Sequence, residues 1–408
     1  MPTGRLDDAL RRRVADVDRR GTAKRHEPAV IGLVPATGDR GPRYLLDGEG
    51  DRAFLRMNSN GYLGLARHPR VVAAEEAGAA RYGTGPGAVR FISGTYGVHR
   101  DLEARLAAFH GREAAVVFSS AYAAVLGTFA ALVTPTTAVV SDELNHSCII
   151  NGIRLAQPSV KHVYRHLALG DLAEGLAAAE GGDGVLVATD GVFSMRGDHA
   201  PLAEIAALVD AADDRFADGA VLLVDDSHGV GALGPTGRGT EELTGARADV
   251  LVATLGKALG VNGGYVAGSA ALADHLREAA PTYVYSNPIT PAEAAAALAA
   301  VDVLDSDDGR ALLAHLRDVT GRFRAGLAQL GFETLPGEHP VVPLVVRDTA
   351  RTNALVAHLR RHGVLATGLA YPVVPRGDDE IRFQLSADHT TADVDEVLAA
   401  LAAFQTDT

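Results

Sequence analysis

The sequence predicts an α/β protein with a mostly parallel central sheet flanked by helices and a smaller α+β C-terminal domain. Between residues 56 and 290, short apolar runs alternate with longer Ala- and Leu-rich amphipathic stretches. Strands separated by helices in this way are typical of parallel sheets built from βαβ units. After Pro291, an Ala-rich stretch leads into a second, shorter alternation of helices and strands. The chain has 408 residues, 47% of them hydrophobic, which leaves ample apolar surface for a core.

Three segments are expected along the chain. Residues 1–55 form an N-terminal arm, helical at Leu6–Arg20 and then broken by Gly and Pro. Residues 56–290 form the large domain, with predicted strands at Ala114–Ser119, Ala138–Ser141, Val185–Asp190, Val221–Asp225, Val250–Thr254 and Gly264–Ala267. The predicted helices of this domain include Leu102–Phe109, Leu202–Asp213 and Ala270–Glu278. Residues 291–408 form a bridging helix and a small C-terminal domain, with elements at Ala292–Leu304, Gly309–Leu330, Val341–Val346, Thr352–His362, Glu380–Leu385 and Thr391–Phe404.

The composition excludes several classes of protein. A net charge of −13 argues against general affinity for nucleic acid or anionic lipid. Apolar runs such as 114–118 and 129–133 are too short to span a bilayer, and the Arg- and Asp-rich N-terminal region is unlike a secretory signal. The single cysteine, Cys148, excludes an internal disulfide framework and any multi-cysteine metal site. We therefore expect a cytoplasmic protein without a metal, a membrane or a nucleic-acid partner.

Polar residues follow the predicted strands where each strand ends, which is the edge where parallel sheets place their chemistry. Lys257 follows the strand Val250–Thr254 and precedes the Gly-rich stretch Gly260–Gly264, which can pass close under a ligand. A lysine in such a loop is more often simply solvated. If it is partly desolvated, however, the pKa of its ammonium falls and the amine can form Schiff bases.

Asp225 ends a run of four apolar residues, which indicates that it closes a buried strand. Such a carboxylate either caps the next turn or pairs with a cation. At about 4 Å and an effective dielectric constant of about 20, a pair with a cationic ring nitrogen is worth about 4 kcal/mol, or about three pKa units. That is enough to keep a pyridine nitrogen protonated at neutral pH, as an electron-sink cofactor requires.

Two further features extend this set. His146 follows another strand and can stack on a flat ring, although an isolated loop histidine usually has no such role. The stretch Ser119–Tyr122 and Thr254 offer hydroxyl and backbone N–H groups, and a helix expected to begin near Ala121 provides a phosphate site. A Schiff-base lysine, a ring-nitrogen carboxylate, a stacking histidine and a phosphate cradle together indicate a pyridoxal-phosphate site.

From about Asn58 to Phe404, the chain resembles the α-oxoamine synthases. The resemblance rests on the ordered stretches Asn58–Leu65, Gly83–Thr95, Thr189–Met195, Asp225–His228, Thr254–Gly260 and Ile381–Ala387. It implies a pyridoxal-phosphate enzyme of the aspartate-aminotransferase fold (fold type I). Such an enzyme condenses an amino acid, probably glycine, with an acyl-CoA or acyl-carrier thioester, with its active sites at a homodimer interface.

Within the family, the chain is most similar to the glycine C-acetyltransferase (2-amino-3-ketobutyrate CoA ligase) branch. This similarity rests on Ser141–His146, Ser286-Asn287, and Tyr371–Gly377 followed by Arg382. An 8-amino-7-oxononanoate synthase-like enzyme or a specialised-metabolism C-acyltransferase is an alternative. Further alternatives are an aminotransferase or lyase of the same fold and a non-catalytic binding module.

Four positions depart from the family pattern, which predicts room for an acyl group larger than acetyl. Leu369 and Ala370 stand where the acetyltransferases usually have two aromatic residues. Val125 replaces a frequent Asn, and Pro288 replaces a frequent Ser.

The resemblance also implies roles for individual residues. Lys257 would bind the cofactor covalently and remove the substrate Cα proton, and Asp225 would pair with the ring nitrogen. His228 and Ser194 would bond the ring oxygen, and His146 would stack on the ring face and help to guide the substrate.

The remaining roles concern the phosphate and the substrate carboxylate. The backbone amides of Ala121 and Tyr122, together with Thr254, would hold the phosphate. Ser286 and Asn287 would reach the phosphate bound to the partner subunit, and Asn60 and Arg382 would hold the amino-acid carboxylate, for which the fork of Arg is suited.

Overall fold

The computed structural model describes residues 3–20, 23–25, 27–371, 374–375 and 377–406. Its strands are β1 (Val30–Val34), β2 (Arg43–Leu46), β3 (Ala53–Arg56), β4 (Ala114–Phe118), β5 (Thr137–Asp142), β6 (Val160–Tyr164), β7 (Gly184–Asp190), β8 (Ala220–Asp225), β9 (Val250–Thr254), β10 (Gly264–Gly268), β11 (Glu333–Thr334), β12 (Val341–Val345), β13 (Val364–Leu365), β14 (Thr367–Leu369) and β15 (Glu380–Gln384). Its α-helices are α1 (Gly4–Arg19), α2 (Pro69–Tyr82), α3 (Gly97–Phe109), α4 (Ala121–Leu132), α5 (Ser147–Ala156), α6 (Leu169–Ala178), α7 (Leu202–Asp210), α8 (Thr240–Thr244), α9 (Ala270–Ala279), α10 (Pro281–Val284), α11 (Pro291–Leu304), α12 (Asp307–Gln329), α13 (Thr349–Arg361) and α14 (Thr391–Thr406).

The central sheet contains seven strands in the order β4-β10-β9-β8-β7-β5-β6. Strands β9, β8, β7, β5 and β6 pair in parallel, and β10 runs antiparallel to both of its neighbours. The predicted mostly parallel sheet is therefore confirmed, and each strand predicted for it is present within two residues of its bounds. The edge strand β6 was not predicted because its residues are largely exposed and carry no continuous apolar run.

Helices cover both faces of this sheet. Along β7, Leu186 and Ala188 belong to one hydrophobic cluster, whereas Val185 and Val187 belong to another, as expected for side chains that alternate across a strand. Phe129 of α4 packs in the first cluster. Because both faces are buried, the central strands appear in the sequence as continuous apolar runs rather than as alternating ones.

Two smaller sheets flank the central one. The C-terminal sheet has the order β11-β12-β15-β14 and is antiparallel throughout. The N-terminal sheet has the order β1-β2-β3-β13, and its last pair joins Leu55 to Val364 across the length of the chain. The helix predicted in the N-terminal arm is present as α1, whereas the short strands β1 to β3 were not predicted. The division into segments at residues 55 and 290 stays a prediction.

The arrangement brings the polar ends of five central strands to one edge of the sheet. In the register of β7 and β8, Asp190 lies directly opposite Asp225. Because β10 is antiparallel, it begins at this same edge, where Gly264 pairs with Thr254. None of the helices within the described ranges combines the length and apolar character needed to cross a membrane.

Candidate active site

A cavity of about 220 Å³ opens at this edge, and we call it the central cavity. Seven of the residues that the sequence singled out line it: Ala121, Tyr122, His146, Asp225, His228, Thr254 and Lys257. These residues come from the segments that follow β4, β5, β8 and β9 and from the last residues of two of those strands. Sheet topology thus brings together residues that are up to 136 positions apart in sequence, between Ala121 and Lys257.

Lys257 lies in the loop after β9 and faces two carboxylates. Burial lowers the pKa of its ammonium, while the negative charges of Asp225 and Asp190 oppose this effect. The other two lysines of the chain, Lys24 and Lys161, are exposed. Lys257 is therefore the lysine whose environment favours a reactive neutral amine.

The two carboxylates differ in their hydrogen bonds. Asp225 accepts from the backbone N–H of Ser227 at 3.1 Å and from the thiol of Cys148 at 3.4 Å. Asp190 Oδ2 accepts from the backbone N–H of His146 at 2.9 Å, whereas its Oδ1 is buried without a hydrogen-bond partner among the described residues. Burial, reinforced by the charge of Asp225, raises the pKa of Asp190 well above its usual range. Asp190 therefore favours its protonated form.

His146 begins α5 and lies beside the thiol of Cys148. Its Nδ1 is 2.9 Å from Cys148 Sγ and accepts the backbone N–H of Cys148 at 3.3 Å. Burial lowers the pKa of His146, and burial together with the charge of Asp225 raises the pKa of the Cys148 thiol. Both groups are consequently neutral at physiological pH, so the cysteine acts as a hydrogen-bond donor.

His228 is oriented by a buried tyrosine. Its Nδ1 lies 2.6 Å from the hydroxyl of Tyr62, and its backbone carbonyl accepts from His339 Nε2 at 2.9 Å. Burial lowers the pKa of His228 well below its usual value and raises that of Tyr62. The imidazole is therefore neutral and the phenol protonated. The Tyr62 hydroxyl also lies 3.4 Å from Asn60 Oδ1, but its contact with His228 Nδ1 is much shorter, and when the phenol donates to Nδ1 the ring proton of His228 lies on Nε2.

Arg382 lies on β15 beside the central cavity and is largely buried. Its guanidinium donates to Asn60 Oδ1 at 3.1 Å, so the two residues that the sequence paired for carboxylate binding are in contact. Burial is the largest effect on the pKa of Arg382 and lowers it, while the charge of Glu380 opposes this.

The N-terminus of α4 forms one end of the cavity. Ser120 caps this helix by accepting the N–H of Ala123 at 3.1 Å, and the first N–H groups of a helix have no partner within it. Gly264 allows β10 to approach closely, because a Cβ there would lie 2.1 Å from Ala121 N. The hydroxyl of Thr254 accepts the N–H of Gly256 at 3.0 Å and donates to Gly263 O at 3.1 Å. This end of the cavity therefore suits an anion.

Some predicted residues lie outside the central cavity. Ser194 lines a neighbouring cavity of about 210 Å³, which we call the lateral cavity. Ser286 and Asn287 do not line the central cavity of their own chain, and the Ser286 hydroxyl contacts the carbonyl of Asn287 at 3.4 Å. Within the predicted stretch Tyr371–Gly377, residues 372, 373 and 376 lie outside the described residues.

Sequence reasoning missed four residues of this site: Cys148, Asp190, Tyr62 and His339. Asp190 had a usable signal, since it ends a buried strand just as Asp225 does. Tyr62 lies within one of the stretches that carry the family resemblance. His339 had no local signal because its partner His228 is 111 residues away, and the contact of Cys148 with Asp225 spans 77 residues.

The chain is similar to known proteins over most of its length. The chain matches the family model for aminotransferase class I and II over residues 52–401. It is 41% identical over 367 residues to the mitochondrial 2-amino-3-ketobutyrate coenzyme A ligase of Homo sapiens, covering 89% of this chain and 85% of that one. It is 44% identical over 369 residues to the 8-amino-7-oxononanoate synthase of Geobacter metallireducens, covering 90% and 92%. Among solved structures, serine palmitoyltransferase of Sphingomonas wittichii superposes with a TM-score of 0.87 at 27% identity, covering 99% of this chain and 98% of that one.

Proposed function

Because the chain belongs to the α-oxoamine synthases, within the aminotransferase class I and II family, we propose that it condenses glycine with an acyl-CoA thioester, as a glycine C-acetyltransferase does. In this reaction the glycine Cα–H bond is lost, a Cα–acyl carbon bond forms and the carbon–sulfur bond breaks. The departing thiolate takes up a proton. The observation that carries the proposal is that a desolvated lysine and a buried carboxylate share one cavity with an arginine–asparagine pair beside it.

The residues present fit pyridoxal phosphate, the cofactor of this family. Two buried polar atoms of the central cavity, Asp190 Oδ1 and Ser227 Oγ, have no hydrogen-bond partner within the described ranges. The N-terminus of α4 supplies unpartnered N–H groups at one end of the cavity. When bound, the cofactor supplies an electron sink that makes the substrate Cα–H acidic.

We assign the contacts to the cofactor as follows. Its aldehyde would be held by Lys257, its ring nitrogen by Asp225 and its ring oxygen by His228, with Ser194 reaching that oxygen from the side of the lateral cavity. The ring face would be contacted by His146, and the phosphate by Ala121, Tyr122 and Thr254. The neutral His228 presents a proton on Nε2, which suits it to donate to an anionic oxygen.

The protein's own groups carry the proton chemistry and the positioning. The lowered pKa of Lys257 makes its amine available as the base that takes the Cα proton. Arg382 and Asn60 hold the amino-acid carboxylate, and the buried position of Arg382 strengthens that pair. The carboxylate is thereby fixed relative to Lys257 before the acyl donor reacts.

A second candidate is condensation with an acyl donor larger than acetyl. It is favoured by the 44% identity to an 8-amino-7-oxononanoate synthase and by the lateral cavity beside the site. An aminotransferase or lyase remains the third candidate.

A matrix of amino acids against acyl thioesters, read by release of free thiol, tests the function. We expect thiol release that depends on both glycine and an acyl-CoA. Mass spectrometry should detect the condensation product, either the α-amino-β-keto acid or the α-amino ketone that forms when its carboxylate is lost. Exchange of amino groups between amino and keto acids without thiol release would instead identify an aminotransferase.

We also propose that the active form is a homodimer in which Ser286 and Asn287 complete the phosphate site of the partner. Both residues lie outside the central cavity of their own chain, and the adjacent Tyr285 is 79% exposed. The adjacent apolar side chains of Phe91 and Ile92 are 66% and 64% exposed, which suits a contact between subunits.

Hybrid dimers test this arrangement. A Lys257→Ala chain and a chain carrying Ser286→Ala with Asn287→Ala are each expected to be impaired. Unfolding and refolding the two together should restore activity, because each hybrid contains one intact site. If the mixture is no more active than the separate variants, the residues do not act across the interface.

Tyr62→Phe is expected to lower kcat/KM about tenfold, since His228 loses the hydrogen bond that fixes its tautomer, and such a bond is worth about 1.5 kcal/mol. The pH profile of kcat/KM and the pH titration of the cofactor absorbance should both shift. Tyr265→Phe is a matched control, because Tyr265 is also buried and bonds a histidine, His110, at 2.7 Å in the core. This control should change stability without changing the pH profile, and equal profiles for both variants would contradict the role of Tyr62.

A further inference from the structure

Three residues that line the lateral cavity lie within four positions, along the chain, of residues of the proposed active site. Leu144 lies two residues before His146, and Ser194 lies four residues after Asp190. Glu380 lies two residues before Arg382 on β15, so both side chains leave the same face of the strand. Two residues of strand span about 7 Å. A chain attached near the substrate carboxylate site can therefore extend along this face towards Glu380.

The wall of the lateral cavity is mixed in character. Leu144, Phe193 and Val345 provide apolar contacts, as expected for a site that holds an aliphatic chain. Among the described lining residues, Glu380 is the buried carboxylate, with a relative exposure of 5%. Its Oε1 has no hydrogen-bond partner within the described part of the chain.

The cations near Glu380 donate to other groups, and Arg382 Nε has no acceptor among the described residues. Arg196 donates to Asp198 at 2.7 Å, Arg347 donates to Glu333 at 2.5 Å, and Arg382 donates to Asn60. Burial raises the pKa of Glu380 to about 7; the charges of Arg382 and Arg196 act against this rise, and those of Asp378 and Asp198 add to it. In either protonation state, the carboxyl group retains an oxygen that can accept a hydrogen bond.

A buried acceptor without a partner destabilises a protein by about 1–3 kcal/mol, so a ligand that supplies the missing donor gains affinity. We propose that the lateral cavity receives the acyl chain of the donor and that Glu380 selects chains with a hydrogen-bond donor, a hydroxyl or an ammonium, at their distal end. This proposal rests on the proposed function and specifies its acyl substrate. Glu380 is then a specificity-determining residue that does not touch the reacting atoms.

Three acyl-CoA thioesters of nearly equal size test the proposal. Heptanoyl-CoA ends in a methyl group, ω-hydroxyhexanoyl-CoA in a hydroxyl and ω-aminohexanoyl-CoA in an ammonium. With glycine as co-substrate, the wild-type kcat/KM for the hydroxyl or ammonium chain should exceed that for heptanoyl-CoA by about tenfold, as one additional hydrogen bond predicts. Equilibrium binding of the three thioesters without glycine should show the same order.

Two substitutions separate the role of Glu380 from a structural one. Glu380→Leu should reverse the preference in favour of heptanoyl-CoA. Glu380→Gln, which keeps the shape and an acceptor, should retain the preference for the hydroxyl chain and lose that for the ammonium chain. Glu204→Gln removes an exposed acid on α7, away from the cavity, and its ratios should match those of the wild type. Because each ratio is measured within one variant, partial loss of stability does not affect it.

The remaining outcomes are distinct. A wild-type preference for heptanoyl-CoA, or a ratio that Glu380→Leu does not change, would overturn the role of Glu380. A preference for ω-carboxyhexanoyl-CoA would do the same and would identify Arg196 and Arg347 as the selecting groups. If no acyl-CoA, including acetyl-CoA, releases thiol, the proposed function itself fails, while the binding measurement still tests the cavity.

Discussion

Replacing Lys257 with alanine is expected to abolish condensation, with a loss of at least about 10³-fold in kcat, as removal of an acid–base group and a covalent anchor together predicts. The purified variant should also lack the visible absorbance of a cofactor bound through an imine. The physical reason is that Lys257 is the lysine placed beside two carboxylates, in surroundings that lower the pKa of its ammonium.

Lys161→Ala is the matched control, because Lys161 lies exposed on β6. It should retain the colour and the rate of the wild type. Thermal unfolding of both variants in the absence of the cofactor distinguishes loss of chemistry from loss of fold. A Lys257→Ala protein that condenses glycine with acyl-CoA at the wild-type rate would contradict the assignment.

Asp225→Asn is expected to lower kcat about 10³-fold, which corresponds to the roughly 4 kcal/mol attributed to a charge pair at about 4 Å. Asparagine keeps the shape of the side chain and can still accept the N–H of Ser227, so the change removes mainly the charge. Without that charge, the ring nitrogen of the cofactor is no longer held protonated. The absorbance of the bound cofactor should then titrate at lower pH.

Asp190→Asn provides a stringent comparison, because Asp190 is the register partner of Asp225 on the adjacent strand. The raised pKa of Asp190 means that the neutral amide resembles its protonated form, and the amide oxygen can still accept from His146 N. We expect a loss of less than about tenfold, as for a modest hydrogen-bond change. If Asp190→Asn is the more damaging substitution, the charge belongs to Asp190 and the assignment must be reversed.

Much of the fold could be predicted from the sequence because its central strands are buried on both faces. Strands such as β8 and β9 appear in the sequence as uninterrupted apolar runs that end in a polar residue. The apolar run predicts the strand, and the polar residue marks the edge of the sheet where the functional groups lie. The N-terminal strands β1 and β2 are largely exposed or short and gave no such pattern. β2 pairs with β3, and β3 in turn pairs with Val364, more than 300 residues away.

The candidate site could be predicted only in part. Lys257 and Asp225 were accessible because each follows an apolar strand, and topology then brings them into one cavity. The contact between Tyr62 and His228 joins residues 166 positions apart. Glu380 is proposed as a selecting residue because one of its carboxyl oxygens is buried without a hydrogen-bond partner among the described residues. Neither property is encoded in local spacing, since each arises from the packing of distant segments.

The most direct test of the central claim is borohydride reduction of the purified holoenzyme followed by peptide mapping. The chain contains three lysines, Lys24, Lys161 and Lys257, so the site of attachment can be identified without ambiguity. We predict one pyridoxyl group per chain, carried by the peptide that contains Lys257. Attachment at Lys24 or Lys161, or a holoenzyme in which no lysine is modified, would contradict the account.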